Sequence, residues 1–345
     1  MASTESAATI PVRALTESDL RGCLALSRAA HWNQNEADWR MMLALGRGWG
    51  IDLAADGQMV PAGPASQADL GGSVGRGVGR DAVLAASALV IPYPGVPGAA
   101  ARSAGSPGSS GFPGSGSTSN AVAAAGCAWV SMVLVLPQFR RRGLASRLLR
   151  EALACLRDQG LVPVLDATPA GYPVYIQEGF EPAWGFRRYR RAAVSLDPDA
   201  AAAPRTRCIG EDDWPAVLAL DAPAFGADRG RLLRALAQRM PVAARVAEEG
   251  GRIVGFILGR DGLDACQLGP LIARDAATAQ VLIDDVLDRL AGPVQVDLAD
   301  RHLALLEGLV ARGFLLQRPF TRMAKDAAAP GDPAQVVLVA GPELG

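Results

Sequence analysis

The chain has 345 residues, 50% of them hydrophobic, enough to bury two cores rather than one. Lys+Arg of 34 against Asp+Glu of 35 leaves a formal net charge of -1, so no chain-wide field attracts nucleic acid or anionic lipid, and any basic function must be local. Five scattered cysteines without a C-x-x-C pair, and only two histidines (His31 and His302), argue against a Cys/His zinc site and suit a reducing compartment. No metal is expected. The first residues lack a basic segment followed by an apolar one, and the longest apolar run, near residues 82–91, is too short to span a bilayer. The expectation is a cytoplasmic protein that engages neither membrane nor nucleic acid.

In chain order, "TIPVRALTESDLRGCLALSRAA" reads as a short strand and then a helix entered at Thr16. "HWNQNEADWRMMLALGRG" is a second helix with a polar entry, and "WGIDLAADG" a strand ending in an Asp-Gly turn. Residues 58–80 are Gly- and Ser-rich. "DAVLAASALVIPY" is a buried strand. Residues 95–120 are low-complexity, with too little side chain to offset their ordering entropy, and are expected as a flexible insertion. "CAWVSMVLVLP" is a strand. "RRGLASRLLREALACLRDQG" is a helix with Leu144, Leu148, Ala152, Cys155 and Leu156 on one stripe, closed by Gly160. A strand "LVPVLDA", a short helix ending at Gly179 and a last strand "EPAWGFRRYRR" follow.

Residues 195–206 are a linker by composition, and after them the order repeats. "GEDDWPAVLALDAPAF" parallels "TESDLRGCLALSRAA". "GRIVGFILGR" reads as a two-strand or strand-turn unit, "DACQLGPLIA" as a strand and "DAATAQVLIDDVLDRLAG" as a helix. "PVQVDLA" echoes "VPVLDAT", and "LALLEGLVARGFLLQR" echoes "PVYIQEGFEPAW". The halves read as diverged copies of one unit. The expected boundaries are a first domain over 10–194, a linker over 195–206, a second domain over 207–327 and a tail over 328–345.

The stretch "VLVLPQFRRRGLASRLLREAL" carries the chemistry. An apolar strand ends, the chain turns, and a helix begins whose first amides lack internal partners and carry partial positive charge. Gly143 and the small Ala145 allow an anion to approach the backbone, and the arginines add charge. Read alone, this is a phosphate cradle or an exposed basic loop. A Walker-type nucleotide loop does not fit, because no Gly-Lys-Ser/Thr follows.

"RRRGLA", residues 140–145, fits R/Q-x-x-G-x-G/A after a strand, and "YIQEGF", residues 175–180, fits Tyr-x-x-x-Gly-Phe. On these motifs the first half resembles the GNAT superfamily of acyl-CoA-dependent N-acyltransferases, over roughly residues 10–191 apart from the insertions. The second half resembles the YitH/HolE-type GNAT domain that follows such a first domain, and "HWNQNEADW" is similar to the Trp-Asn-Gln segment of first domains in that group. The resemblance implies an α/β (α+β) protein of two tandem folds, each a mixed, mostly antiparallel twisted sheet flanked by helices.

The resemblance also implies roles. Val133, Leu134 and Val135 would contact pantetheine and acetyl group, with a backbone N–H polarising the thioester carbonyl. Arg141, Arg142, Gly143, Leu144, Ala145 and Ser146 would hold the coenzyme A pyrophosphate. Tyr175 would be the general acid, since a phenol with a pKa of about 10 suits a departing alkyl thiolate. The asparagine usual before that helix has no clear counterpart, Thr168 being nearest. The general base stays open: Asp166 at a strand end, Glu36 or Asp38 in the acceptor-side helix, or a water relay. Asp166 is equally a turn or capping residue. Trp32, Asn33 and Gln34 could line the acceptor pocket, and Trp32 could equally be core.

The second half has neither signature. "GPLIARDAATAQ" replaces the loop, with Asp275 at the helix start, and Leu309 stands four residues before Gly313, where a tyrosine would be. One acetyl-CoA per chain is therefore expected. The expected activity is transfer of an acetyl group from acetyl-CoA to a primary amine, on a small molecule, directly in a ternary complex, by a monomer or homodimer. The alternative is an acyl-CoA-binding sensor or scaffold without turnover.

Overall fold

The computed structural model describes residues 10–55, 57–58, 82–96, 126–196 and 206–345. The expected insertions near 58–80 and 95–120, and the linker, lie almost wholly outside these residues.

The first half opens with β1 (Arg13–Ala14), α1 (Leu20–Ala29) and α2 (Glu36–Leu45). Asn35 caps α2: its Oδ1 accepts from the Asp38 N–H at 3.1 Å, while Asp38 accepts from the Asn35 N–H at 2.9 Å. β2 (Arg47–Ala54), β3 (Ala82–Pro94), β4 (Gly126–Val135), α3 (Leu144–Leu156), β5 (Val162–Ala167), α4 (Tyr172–Gln177) and β6 (Phe180–Arg191) follow. The second half repeats the pattern with β7 (Arg207–Cys208), α5 (Trp214–Phe225), α6 (Gly230–Arg239), β8 (Arg245–Glu249), β9 (Arg252–Arg260), β10 (Cys266–Ala273), α7 (Ala276–Leu287), β11 (Val294–Ala299), α8 (Leu306–Ala311) and β12 (Leu315–Lys325). A further strand, β13 (Val336–Leu338), lies in the stretch expected as a tail.

The thirteen strands of the described residues join one mixed, mostly antiparallel sheet, in the order β1-β2-β3-β4-β5-β12-β6-β11-β13-β10-β9-β8-β7. The two halves exchange their last long strands. β12 of the second half pairs antiparallel with β5 of the first, and β6 of the first pairs antiparallel with β11 of the second. The exchanged strands also pair with each other, stacking Phe186 on Phe320 with centroids 5.0 Å apart.

Helices cover both faces. α3 packs on the face carrying Ala128, Val130 and Leu165, and α7 on the corresponding face of the second half. The opposite face is shared: residues of α1, α2, α5 and α6 bury one continuous core that includes Trp39, Trp129, Phe186, Phe225, Phe256 and Phe320.

Two matching ion pairs lock the exchange. Arg322 of β12 grips Asp166 of β5 through both oxygens at 2.9 and 3.0 Å. Arg188 of β6 grips Asp297 of β11 at 2.8 and 2.7 Å. All four are buried. Arg322→Ala, which leaves Asp166 uncompensated, should cost about 3–5 kcal/mol by chemical denaturation, whereas replacing both partners with uncharged residues should cost far less. Equal losses would show that packing, not charge, holds β12 in place.

Candidate active site

β4 and β5 pair in parallel only between Cys127–Trp129 and Val162–Val164. Beyond those residues they part, leaving facing edges with backbone groups that an extended ligand can use. β4 also carries an extra residue there, since Ser131 and Leu134 face Leu89 and Ser87. Met132 takes up the bulge at φ 52°, and the Ser87 hydroxyl donates to its carbonyl at 2.8 Å. Val133, Leu134 and Val135 thus lie on the splayed end of β4.

The loop at the mouth of this gap carries two left-handed residues, Arg141 (φ 61°) and Gly143 (φ 76°), on either side of Arg142. Such alternation turns successive N–H groups toward one point and makes an anion nest. Gly143 is the N-cap of the 13-residue α3. Its carbonyl accepts from the Arg147 N–H at 3.0 Å, so the amides of Leu144, Ala145 and Ser146 precede the first intrahelical bond. Leu144, Leu148, Leu149, Ala152 and Leu156 anchor the helix, while Cys155, expected on that stripe, is only half-buried. The arginines divide the work. Arg142 donates to the Gly57 carbonyl at 2.7 Å and Arg140 to that of Val135 at 3.2 Å. Arg141 is exposed and has no partner among the described residues. Arg142 can therefore offer its backbone, and Arg141 its guanidinium.

Tyr175 sits on α4, half-buried, edge-on to Phe180 with centroids 6.0 Å apart. A Cβ on Gly171 would come within 3.0 Å of its ring, so that glycine makes the space the tyrosine occupies. Burial pushes the phenol up to about 12, keeping it protonated at neutral pH.

Because α3 closes one face of the gap, an acceptor must approach from the other. Ser131 lies there, level with Asp166 across the gap by the register of Trp129 with Val164. Its hydroxyl is buried without a partner among the described residues. Asp166 reaches the expected place but is held by Arg322, whose guanidinium lies between the rings of Trp129 and Trp184 at 4.5 and 4.3 Å. Burial pushes the Asp166 carboxyl up despite Arg322. With both oxygens engaged it positions Arg322 better than it accepts a proton.

The other acceptor-side candidates have different surroundings. Asn33 latches the halves: its Nδ2 donates to the Ala265 carbonyl at 2.8 Å, and its Oδ1 accepts from the Asp264 and Ala265 N–H groups at 2.8 and 3.1 Å. These bonds use both acceptor positions of Oδ1 and one of the two Nδ2 hydrogens, so Asn33 joins the halves and keeps one donor for a ligand. Trp32 packs on the shared core. Gln34 is buried with its Oε1 unpartnered among the described residues, so it keeps capacity for a ligand. Asp38 is bound to Arg239 and Arg260 at 2.6 and 2.8 Å, and Glu36 pairs with Arg40 at the surface. Residues that sequence reasoning missed are Arg318, Phe320 and Arg322, brought beside β5 only by the strand exchange.

The second half gives an internal comparison. β10 and β11 also part, after pairing between Cys266–Leu268 and Val294–Val296. There β13 enters the gap: Leu338 pairs with both Leu271 and Leu298, and the Val339 N–H donates to the Asp297 carbonyl at 3.1 Å. Residues 336–345 are all buried. At the start of α7, Asp275 accepts from the Thr278 N–H at 2.8 Å, placing a carboxylate where the first half has its nest. Leu309 is core.

Models of the acetyltransferase (GNAT) domain match residues 119–183 and again residues 217–337. The chain belongs to the GNAT acetyltransferases. The first GNAT match spans β4, the loop, α3, β5 and α4; the second spans most of the other half. The uncharacterized N-acetyltransferase YitH of Bacillus subtilis is 27% identical over 187 residues, covering 54% of this chain and 65% of that protein, so the chain spans just under two thirds of that relative's length. A crystal structure of a proposed acetyltransferase from Pyrococcus horikoshii superposes with a TM-score of 0.67 over 97% of this chain and 96% of that one, at 16% identity. The N-myristoyltransferase of Saccharomyces cerevisiae, solved with bound myristoyl-CoA, superposes at 0.55 over 97% and 88%, at 11% identity. At these identities the superpositions show the fold. The two matches mark both halves as acetyltransferase (GNAT) domains.

A surface groove of about 760 Å³ lies at the other end of α3 and β5, lined by Arg150, Leu156, Gly160, Pro163, Glu178 and Lys325. It includes neither the nest nor the gap. Among the described residues no group of three or more His, Cys, Asp or Glu could hold a metal, and no helix is long and apolar enough to cross a membrane.

Proposed function

We propose that the first half alone binds acetyl-CoA and moves its acetyl group directly to a primary amine of a small molecule. The observation that carries this reading is the internal contrast: an open β4/β5 gap with a nest at its mouth in one half, and a gap filled by β13 with Asp275 at its mouth in the other. Acetyl-CoA would supply an activated acetyl group. The nest amides and Arg141 would hold its pyrophosphate. The edge of β4 around Val133 to Val135 would pair with the pantetheine arm and polarise the carbonyl. Tyr175 would give its proton to sulfur as the carbon–sulfur bond breaks and the carbon–nitrogen bond forms, while the amine's own proton leaves to Asp166, if Arg322 frees an oxygen, or to water. Asp166 otherwise acts by positioning Arg322.

Calorimetric titration with acetyl-CoA should give one site per chain. Two equivalent sites would overturn the assignment of the second half. Thiol release across a panel of primary amines should show turnover; tight binding with no release on any amine would favour a sensor.

A further inference from the structure

The strand exchange builds the acceptor wall of the first half's site from the second half. On β12, Arg318, Phe320 and Arg322 stand in register with Arg188, Phe186 and Trp184 of β6. The contacts of Phe320 in the shared core place this row on the acceptor face. Arg322 faces Asp166 on β5, and Thr321 faces the last β5 residue, Ala167. Phe320 and Arg318 therefore flank the space just beyond the end of β5, where the gap opens. The Arg318 guanidinium lies over the Phe320 ring at 5.1 Å.

Arg318 differs from its neighbours in its pairing. Arg322 has Asp166, Arg188 has Asp297, and Arg260 has Asp38 and Glu343. Arg318 is half-buried and has no hydrogen bond or ion pair among the described residues. Burial and repulsion by Arg188 lower its pKa, outweighing the attraction of Asp297 and Glu343. A desolvated guanidinium with no hydrogen-bonded counter-charge is costly, and an arriving anion that fits its fork recovers part of that cost.

We propose that the acceptor is an amine carrying a carboxylate, of the amino-acid class, and that Arg318 binds that carboxylate beside the mouth of the β4/β5 gap. This rests on the acetyl-transfer reading above. The amine of such a ligand lies only a few bonds from the carboxylate, so an anchor at the end of β5 leaves it within reach of the gap. The second half then sets specificity, while the first supplies the cosubstrate site.

The test pairs binding with turnover. The protein saturated with coenzyme A is titrated calorimetrically with free amino acids and with their carboxamides, and the same panel is run for thiol release from acetyl-CoA. At least one free amino acid should bind about 10- to 100-fold more tightly than its carboxamide, the range for a charge-assisted pair. Arg318→Gln should erase that preference, and Arg318→Lys should restore part of it. Carboxamides that bind as well as the acids, no binding by any free amino acid, or a preference that survives Arg318→Gln would each overturn the proposal. A preference seen in binding without thiol release would leave it standing and count against acetyl transfer instead.

Discussion

Gly143→Val is expected to weaken acetyl-CoA binding at least about 100-fold, because two independent costs fall on one position. Gly143 sits at φ 76° as the N-cap of α3. A β-branched residue there is strained by about 1–2 kcal/mol, which either destabilises the start of the helix or forces the loop out of its nest geometry. The second cost is steric. A Cβ at Gly143 would add bulk beside the amides of Leu144 to Ser146, where the pyrophosphate is proposed to sit. Gly143→Asn separates the two, since asparagine tolerates the left-handed region while still adding a side chain. If strain dominates, asparagine should recover most of the affinity; if close approach dominates, it should recover little. Calorimetry reads the affinity and chemical denaturation the strain. Undiminished binding in the valine variant would remove the loop from the cosubstrate site altogether.

This loop was legible in the sequence because its chemistry is local. A strand, a turn, a glycine and an amphipathic helix specify each other within about two dozen residues, and Tyr175 follows at a fixed place in the same unit. The strand exchange was not legible, for a physical reason. β6 and β12 end matching units, with Phe186 and Phe320 at matching positions and an arginine two residues beyond each. Asp166 and Asp297 likewise lie near the C-terminal ends of the matching β5 and β11. Pairing each arginine within its own half or across halves satisfies the same charges, so only packing against the neighbouring half decides. The C-terminal apolar run around Val336 to Leu338 could have signalled a strand, but not that its place is the second half's gap. "GRIVGFILGR" reads as a two-strand or strand-turn unit, whereas β9 is one strand from Arg252 to Arg260 with the turn at Gly250 and Gly251 before it. A Cβ on Gly255 would press on Thr278 and Leu282 at 3.0 and 3.1 Å, so that glycine admits α7 rather than bending the chain. Asn33 resembles a pocket residue by its neighbours in sequence, which gave no sign of its hydrogen bonds to residues more than 200 positions away.

Tyr175→Phe is expected to lower kcat by about 100- to 1,000-fold, the range for loss of a positioned general acid. The Michaelis constant for acetyl-CoA should barely move. The ring packs on Phe180 and against Gly171, and both contacts survive in phenylalanine, so the folded site is kept while the proton is lost. An equal rise in the Michaelis constant would mean that the hydroxyl binds rather than protonates. The pH behaviour gives a second reading. Burial raises the phenol from 10.0 to about 12, so it stays protonated across the assay range and should impose no fall in rate below about pH 11. Any fall on the acid side belongs to the amine, which must lose its proton before attack. Stability follows the same sign. The folded state holds the proton more tightly than the unfolded chain, so this group's contribution is complete below pH 10 and is lost as the pH rises toward 12. Tyr175→Phe should remove that alkaline loss while removing the activity. Burial raises Tyr93, Cys23 and Cys127 as well, so part of the protein's alkaline loss should remain; a loss wholly unchanged in the variant would mean that Tyr175 does not titrate in this range.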